Sequence, residues 1–185
     1  MRRLLVLVSL AATVAGAQDI YLRLTDYGGG KINLVVEPFA TGGPTASEFT
    51  RRVAVIEDVL KKDLDYSLYF EIFGDTTFLA EGAEGVVLRS STANDRISVR
   101  LEDFATREKI ADRVYEVETD ARRTAHAMAD EVISILTGEK GICSTRILFS
   151  YRTAAGKEIG LVDYDGYNFT RVTNSGNISL FPSWA

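Results

Sequence analysis

Residues 136–168 read LTGEKGICSTRILFSYRTAAGKEIGLVDYDGYN, and the change of texture inside this stretch decides the fold. Up to Leu136 the apolar residues recur at helical spacing. At Thr137-Gly138 that pattern stops, and a glycine just past the last periodic residue is the common left-handed helix ending. From Thr145 onward the period becomes two. Ile147, Phe149 and Tyr151 alternate, Ala154-Ala155-Gly156 turns, Ile159 and Leu161 alternate again, and Asp165-Gly166 turns once more. Phe169 to Thr173 is another short strand before Asn174-Ser175-Gly176-Asn177. Short strands spaced by about 10 residues with Gly, Asn and Asp turns are the pattern of sandwiches and propeller blades. The stretch is a junction between a helix-containing domain, residues 31–140, and a β segment, residues 145–185.

Upstream of the junction, Asp120 to Leu136 predicts a helix. Ala121, Ala125, Met128, Ala129, Val132, Ile135 and Leu136 fall in one arc of its wheel, with Arg123, Asp130 and Ser134 opposite. An earlier helix carries Phe49, Val53, Ile56, Leu60 and Leu64 on one stripe, and Thr45 with Glu48 has capping-box spacing at its start. Ile32 to Phe39 reads as a mostly buried strand closed by Pro38. Tyr69 to Phe73, Gly85 to Arg89, Arg96 to Leu101 and Val114 to Val117 read as further strands, with a hairpin turn at Asn94-Asp95. The fold class is α+β: a mixed sheet with two amphipathic helices on one face.

The run Leu136-Thr137-Gly138, then Gly141, Thr145-Arg146-Ile147 and Asp163-Tyr164-Asp165-Gly166-Tyr167-Asn168, resembles the TolB family, periplasmic β-propeller components of the Tol–Pal envelope system. Pro182 and Trp184 match the start of that family's Pro-x-Trp-Ser-Pro-Asp-Gly motif, as far as the chain runs. The resemblance implies that the junction joins an N-terminal α/β domain to the first propeller blade. Residues 145–185 would then be an incomplete blade of a truncated chain. It also implies a non-enzymatic adaptor without a cofactor.

Residues 1–17 are set apart from the fold. Arg2 and Arg3, the apolar run Leu4 to Val14, and Ala15-Gly16-Ala17 together form a signal peptide with cleavage before Gln18. No later stretch approaches about 20 apolar residues. Loss of Arg2 and Arg3 takes the formal charge from −5 to −7, because the leader holds no acid. An acidic exported chain has little attraction to nucleic acid or anionic lipid and would meet a basic partner more readily. One cysteine, Cys143, leaves no intramolecular disulfide, so the core must hold by packing. Sequons at Asn168 and Asn177 fit chance occurrence.

Residues 18–30 form an arm and hinge. Ile20, Leu22 and Leu24 alternate with Tyr21 and Arg23, and Gly28-Gly29-Gly30 follows. Such a segment either forms an edge strand of its own sheet or adds to the sheet of another protein. In the family it resembles, the mature N-terminus binds the periplasmic domain of TolA. Position, length and alternation therefore carry that role over to Ile20, Tyr21, Leu22, Arg23 and Leu24. Pal, the peptidoglycan-associated lipoprotein, binds the propeller, most of which lies beyond this chain. The resemblance places the protein in the periplasm, without direct membrane insertion.

Other constellations read as structural. Asp163, Asp165 and Asn168 offer oxygen ligands, but the long pattern and closing Glu of an EF-hand are absent, so the cluster is expected to be a turn. His126 has no second His and no Cys pair, and its wheel position predicts a surface or partly buried residue. Cys143 is expected to be a buried small hydrophobe, since a nucleophile needs an adjacent base. Gly28-Gly29-Gly30-Lys31 lacks P-loop spacing. The neighbouring acids Glu57-Asp58 and Glu102-Asp103 are expected in solvent. Two rival readings stay open: the front of an exported propeller-type serine peptidase, and a cell-wall or carbohydrate-binding module using Tyr164, Tyr167 and Trp184 as a stacking platform.

Overall fold

The computed structural model describes residues 30–40, 47–79 and 83–184. The element order is β1 (Ile32–Val36), α1 (Glu48–Tyr66), β2 (Phe70–Phe73), β3 (Val86–Ala93), β4 (Arg96–Asp103), β5 (Lys109–Glu116), α2 (Ala121–Thr137), β6 (Arg146–Thr153), β7 (Gly156–Asp163) and β8 (Thr170–Arg171), with a 3-10 turn at Thr76–Phe78. The first five strands make one mixed sheet in the order β2-β1-β3-β4-β5. β1 runs parallel to both β2 and β3, whereas β3, β4 and β5 form an antiparallel meander. The parallel β1–β2 pair requires a crossover, and α1 supplies it.

Period-two patterning places one apolar face of this sheet. Leu34 and Val36 on β1 share it with Leu88 on β3 and with Ile97, Val99 and Leu101 on β4. Both helices cover that face: Val53, Ile56, Leu60 and Leu64 of α1 and Ala125, Met128, Ala129 and Val132 of α2 join the same core. Fully burying each of these larger side chains stabilises the fold by about 1.5–3 kcal/mol before entropy opposes it. The expectation of an α+β fold with two helices and a mixed sheet is met. Asn94 and Asp95 both adopt positive φ in the tight β3–β4 turn, the turn expected there.

Several boundaries move. The cap of α1 is Ser47, whose hydroxyl accepts the Thr50 amide at 3.0 Å, and Glu48 is already helical. Thr45, the expected cap, lies outside the described residues. β3 runs on to Ala93 and β5 begins at Lys109, well before Val114. Charged side chains hide this alternation: Arg100 on β4 faces Asp112 on β5 and holds it at 2.7 Å. Glu57 accepts the Phe39 amide at 2.9 Å, and Glu102 pairs with Arg89 at 3.3 Å, so these two acids are used by the fold.

β6, β7 and β8 make a second, antiparallel sheet of three strands. β6 and β7 pair over their whole length around the Ala154-Ala155 turn. β8 is short, and the chain after it returns beside the start of β7, where Lys157 exchanges backbone bonds with Asn177 and Ser179. Gly156 permits that return, because a Cβ there would lie 2.3 Å from the Asn177 carbonyl oxygen. Phe149, Tyr151 and Phe169 cluster on one face over Gly160, with Tyr151 and Phe169 edge to face at 5.2 Å. Ile147, Phe169, Val172, Ile178, Leu180, Phe181 and Trp184 are all exposed on this part of the chain.

Candidate functional site: the junction along α2

The C-terminal end of α2 is built as its sequence predicts. Leu136 is buried, Thr137 bonds back to the Ile133 carbonyl, and Gly138 takes φ 76° as the left-handed cap. The loop after it lies flush against the middle of α2. A Cβ on Gly141 would fall 2.3 Å from the Asp130 Cα, so only glycine fits without displacement. The Asp130 carboxylate then accepts the amides of Cys143 at 2.6 Å and Ser144 at 3.0 Å. Asp130 was expected on the solvent side of the helix wheel. It instead binds the loop, satisfying amides that no strand or helix pairs.

The Asp163–Asn168 turn docks further along the same helix. Gly166 takes φ 83° and Asn168 φ 54°, and the Asp163 amide bonds the Tyr167 carbonyl. Asn168 donates to Asp163 at 2.6 Å, so those two side chains close on each other. Asp165 instead pairs with Arg122 in the first turn of α2, and the Arg122 guanidinium stacks 4.1 Å from the Tyr167 ring centroid. Tyr164 packs against the main core, and its amide bonds the Thr145 carbonyl. The oxygens of this cluster are thus turned to different partners, and no three His, Cys, Asp or Glu side chains converge among the described residues. Thr145 and Arg146 lead into β6, with Arg146 exposed opposite Asp163. Pro182 is half-buried and Trp184 exposed. Of the three aromatic residues, Tyr164 is partly buried against the core, whereas Tyr167, with Arg122 stacked on its ring, and Trp184 are exposed.

Two acidic side chains escaped the sequence reading. His126, expected at or near the surface, is buried and places Nδ1 2.6 Å from Oδ2 of Asp63, which has no exposed surface. The shoulder of α2 that carries His126 faces α1, so the helix buries a wider arc than its sheet-facing stripe. A signal existed: Asp63 sits three residues after Leu60, inside the apolar stripe of α1, and a carboxylate there needs a buried partner. Glu158 on β7 is also buried. It accepts from the Thr173 hydroxyl at 2.5 Å, the Gly176 amide at 2.8 Å and the Ser175 amide at 3.2 Å, with Arg171 at 3.3 Å. The Thr173 bond above all, then those amides and Arg171, hold its pKa down to about 2 against the opposing effect of burial. No sequence pattern announces this cradle, because its donors come from an irregular segment.

Cys143 is fully buried, as expected. Burial pushes its thiol pKa up, and the negative charges of Asp63 and Asp130 push it the same way. A thiol held protonated is a poor nucleophile. The arm residues Ile20, Tyr21, Leu22, Arg23 and Leu24 lie outside the described residues. Among the described residues, no helix is long and apolar enough to cross a membrane.

No family model matches the chain. Its curated relatives include the Tol-Pal system protein TolB of Geobacter sulfurreducens, 27% identical over 98% of this chain and 46% of that protein. The TolB of Chromobacterium violaceum is also 27% identical, over 95% of this chain and 44% of the relative. A TolB homolog of Chlorobaculum tepidum is 23% identical over 88% of this chain. The crystal structure of TolB from Acinetobacter baumannii superposes with a TM-score of 0.60 at 16% identity, covering 79% of this chain and 39% of that one. At that identity the superposition speaks for the fold. The chain is TolB-like, and it spans less than half the length of these relatives.

Proposed function

We propose that this chain is the N-terminal part of a non-enzymatic periplasmic adaptor of the Tol–Pal system. The observation that carries the reading is the TolB-like match across nearly the whole chain, from the α/β unit through the junction into the second sheet. In this reading residues 1–17 direct export, residues 31–140 form the α/β domain, and residues 145–185 belong to the first propeller blade. The exposed apolar side chains from Ile147 to Trp184 support the last assignment, since a blade sheet is covered by its neighbours in a propeller. The arm at Ile20, Tyr21, Leu22, Arg23 and Leu24 engages the periplasmic domain of TolA. Pal engages the propeller beyond the part present here. The resulting link supports outer-membrane integrity, constriction at division and protein import.

The test is binding of the mature chain to the TolA periplasmic domain by calorimetry, with and without Asp19 to Leu24. Removal of the arm should weaken binding by at least about tenfold. Equal affinity for the two forms would overturn the assignment of the arm.

A further inference from the structure

We propose that the Arg122–Asp165 pair is an orientation latch, which fixes the second sheet against α2 at a point remote from the covalent connection. The chain leaves α2 at Gly138, and the loop is stapled to Asp130 in the middle of the helix. Those contacts hold one end of the joint, and the Tyr164 amide bond to Thr145 ties the start of β6 to the end of β7 within the second sheet. Arg122 lies two turns nearer the N-terminus, about 12 Å along the helix axis. Attachment at one end alone leaves a pivot, and a second attachment at that distance removes the rotation.

The chemistry of the pair fits registry better than raw stability. Arg122 stands in the first turn of α2, where a cation opposes the helix dipole, and that turn holds no acidic residue beyond the Asp120 cap. The helix on its own does not favour an arginine there. The Arg122 and Asp165 side chains are only 17% and 6% exposed, and Arg122 Nε is buried with no hydrogen-bond partner among the described residues. Apolar residues of similar volume usually stabilise such a place at least as well, whereas a charged pair accepts only one relative placement of its partners. Tyr167 under the guanidinium narrows that placement further. Asp165 also accepts the Tyr167 amide through its other oxygen, at 3.2 Å, so turn and latch are set together. The latch does not depend on the adaptor reading.

The experiment uses the full chain, spin-labelled at D65C on α1 and A155C on the β6–β7 turn, both exposed positions. Distances are measured by pulsed electron resonance. The parent should give a single narrow distance. R122M, which keeps the packing, and D165N, which keeps the turn, should each lose it and give a broad distribution. The partner left unpaired reaches water as the sheet swings away, so the melting temperature should fall by less than breaking a pair locked in the core would cost. A narrow, unshifted distance in both variants would overturn the latch, whatever the melting temperature. R122A, which removes the stacking as well, should broaden the distribution at least as far; an unchanged width there also overturns it.

Discussion

His126 Nδ1 lies 2.6 Å from Asp63 Oδ2 and ties α2 to α1 inside the core. His126→Ala leaves the Asp63 carboxylate buried without its partner, and breaking a buried pair in this way costs about 3–5 kcal/mol. Denaturant unfolding of H126A should show that loss. Replacing both residues by leucine should recover most of it, because an apolar pair brings no uncompensated charge. A double variant as unstable as H126A would show that the two residues do not act as a pair.

Gly141→Ala should destabilise the junction by about 1–3 kcal/mol, the usual cost of forcing extra volume into a packed site. The added Cβ would lie 2.3 Å from the Asp130 Cα and so meets backbone, which cannot swing aside. Gly74→Ala is the control, because a Cβ there meets nothing within 4 Å. Melting temperatures of the two variants should separate clearly, with G74A near the parent.

Glu158 gives the second sheet an acid sensitivity of defined sign. Its folded pKa of about 2 lies below the ordinary 4.5, so the native sheet favours the carboxylate. The resulting stability is fully present above the unfolded value and fades as pH falls from about 4.5 towards 2. The protection of the Ser175 and Gly176 amides, with the intrinsic exchange rate at each pH divided out, should therefore fall across that window. In Glu158→Gln these amides should already be less protected at neutral pH, and their protection should lose most of its pH dependence.

Cys143 should resist thiol reagents in the folded protein. Burial and the charges of Asp63 and Asp130 keep the thiol protonated, and only the thiolate reacts. Mass spectrometry after maleimide treatment at pH 8 should show no label in native conditions and complete labelling in denaturant. Rapid native labelling would require an opening of the loop that the Asp130 staples argue against.

What the sequence determined by itself are the features governed by local chemistry. The stripes from Val53 to Leu64 and from Ala121 to Leu136 follow from the helical period. The stop at Gly138 and the turns at Asn94-Asp95 and Asp165-Gly166 follow from which residues tolerate positive φ. The TolB-like junction motif is local in the same sense. Tertiary structure alone decided how charged residues were used. Asp130 and His126 looked peripheral on a helical wheel, yet a second helix and a returning loop cover the shoulders of α2. Arg122, Asp165 and Glu158 find their partners across long stretches of chain. A side chain's period reports the face on which it lies, but burial depends on what folds over that face, and this is set only when distant segments meet.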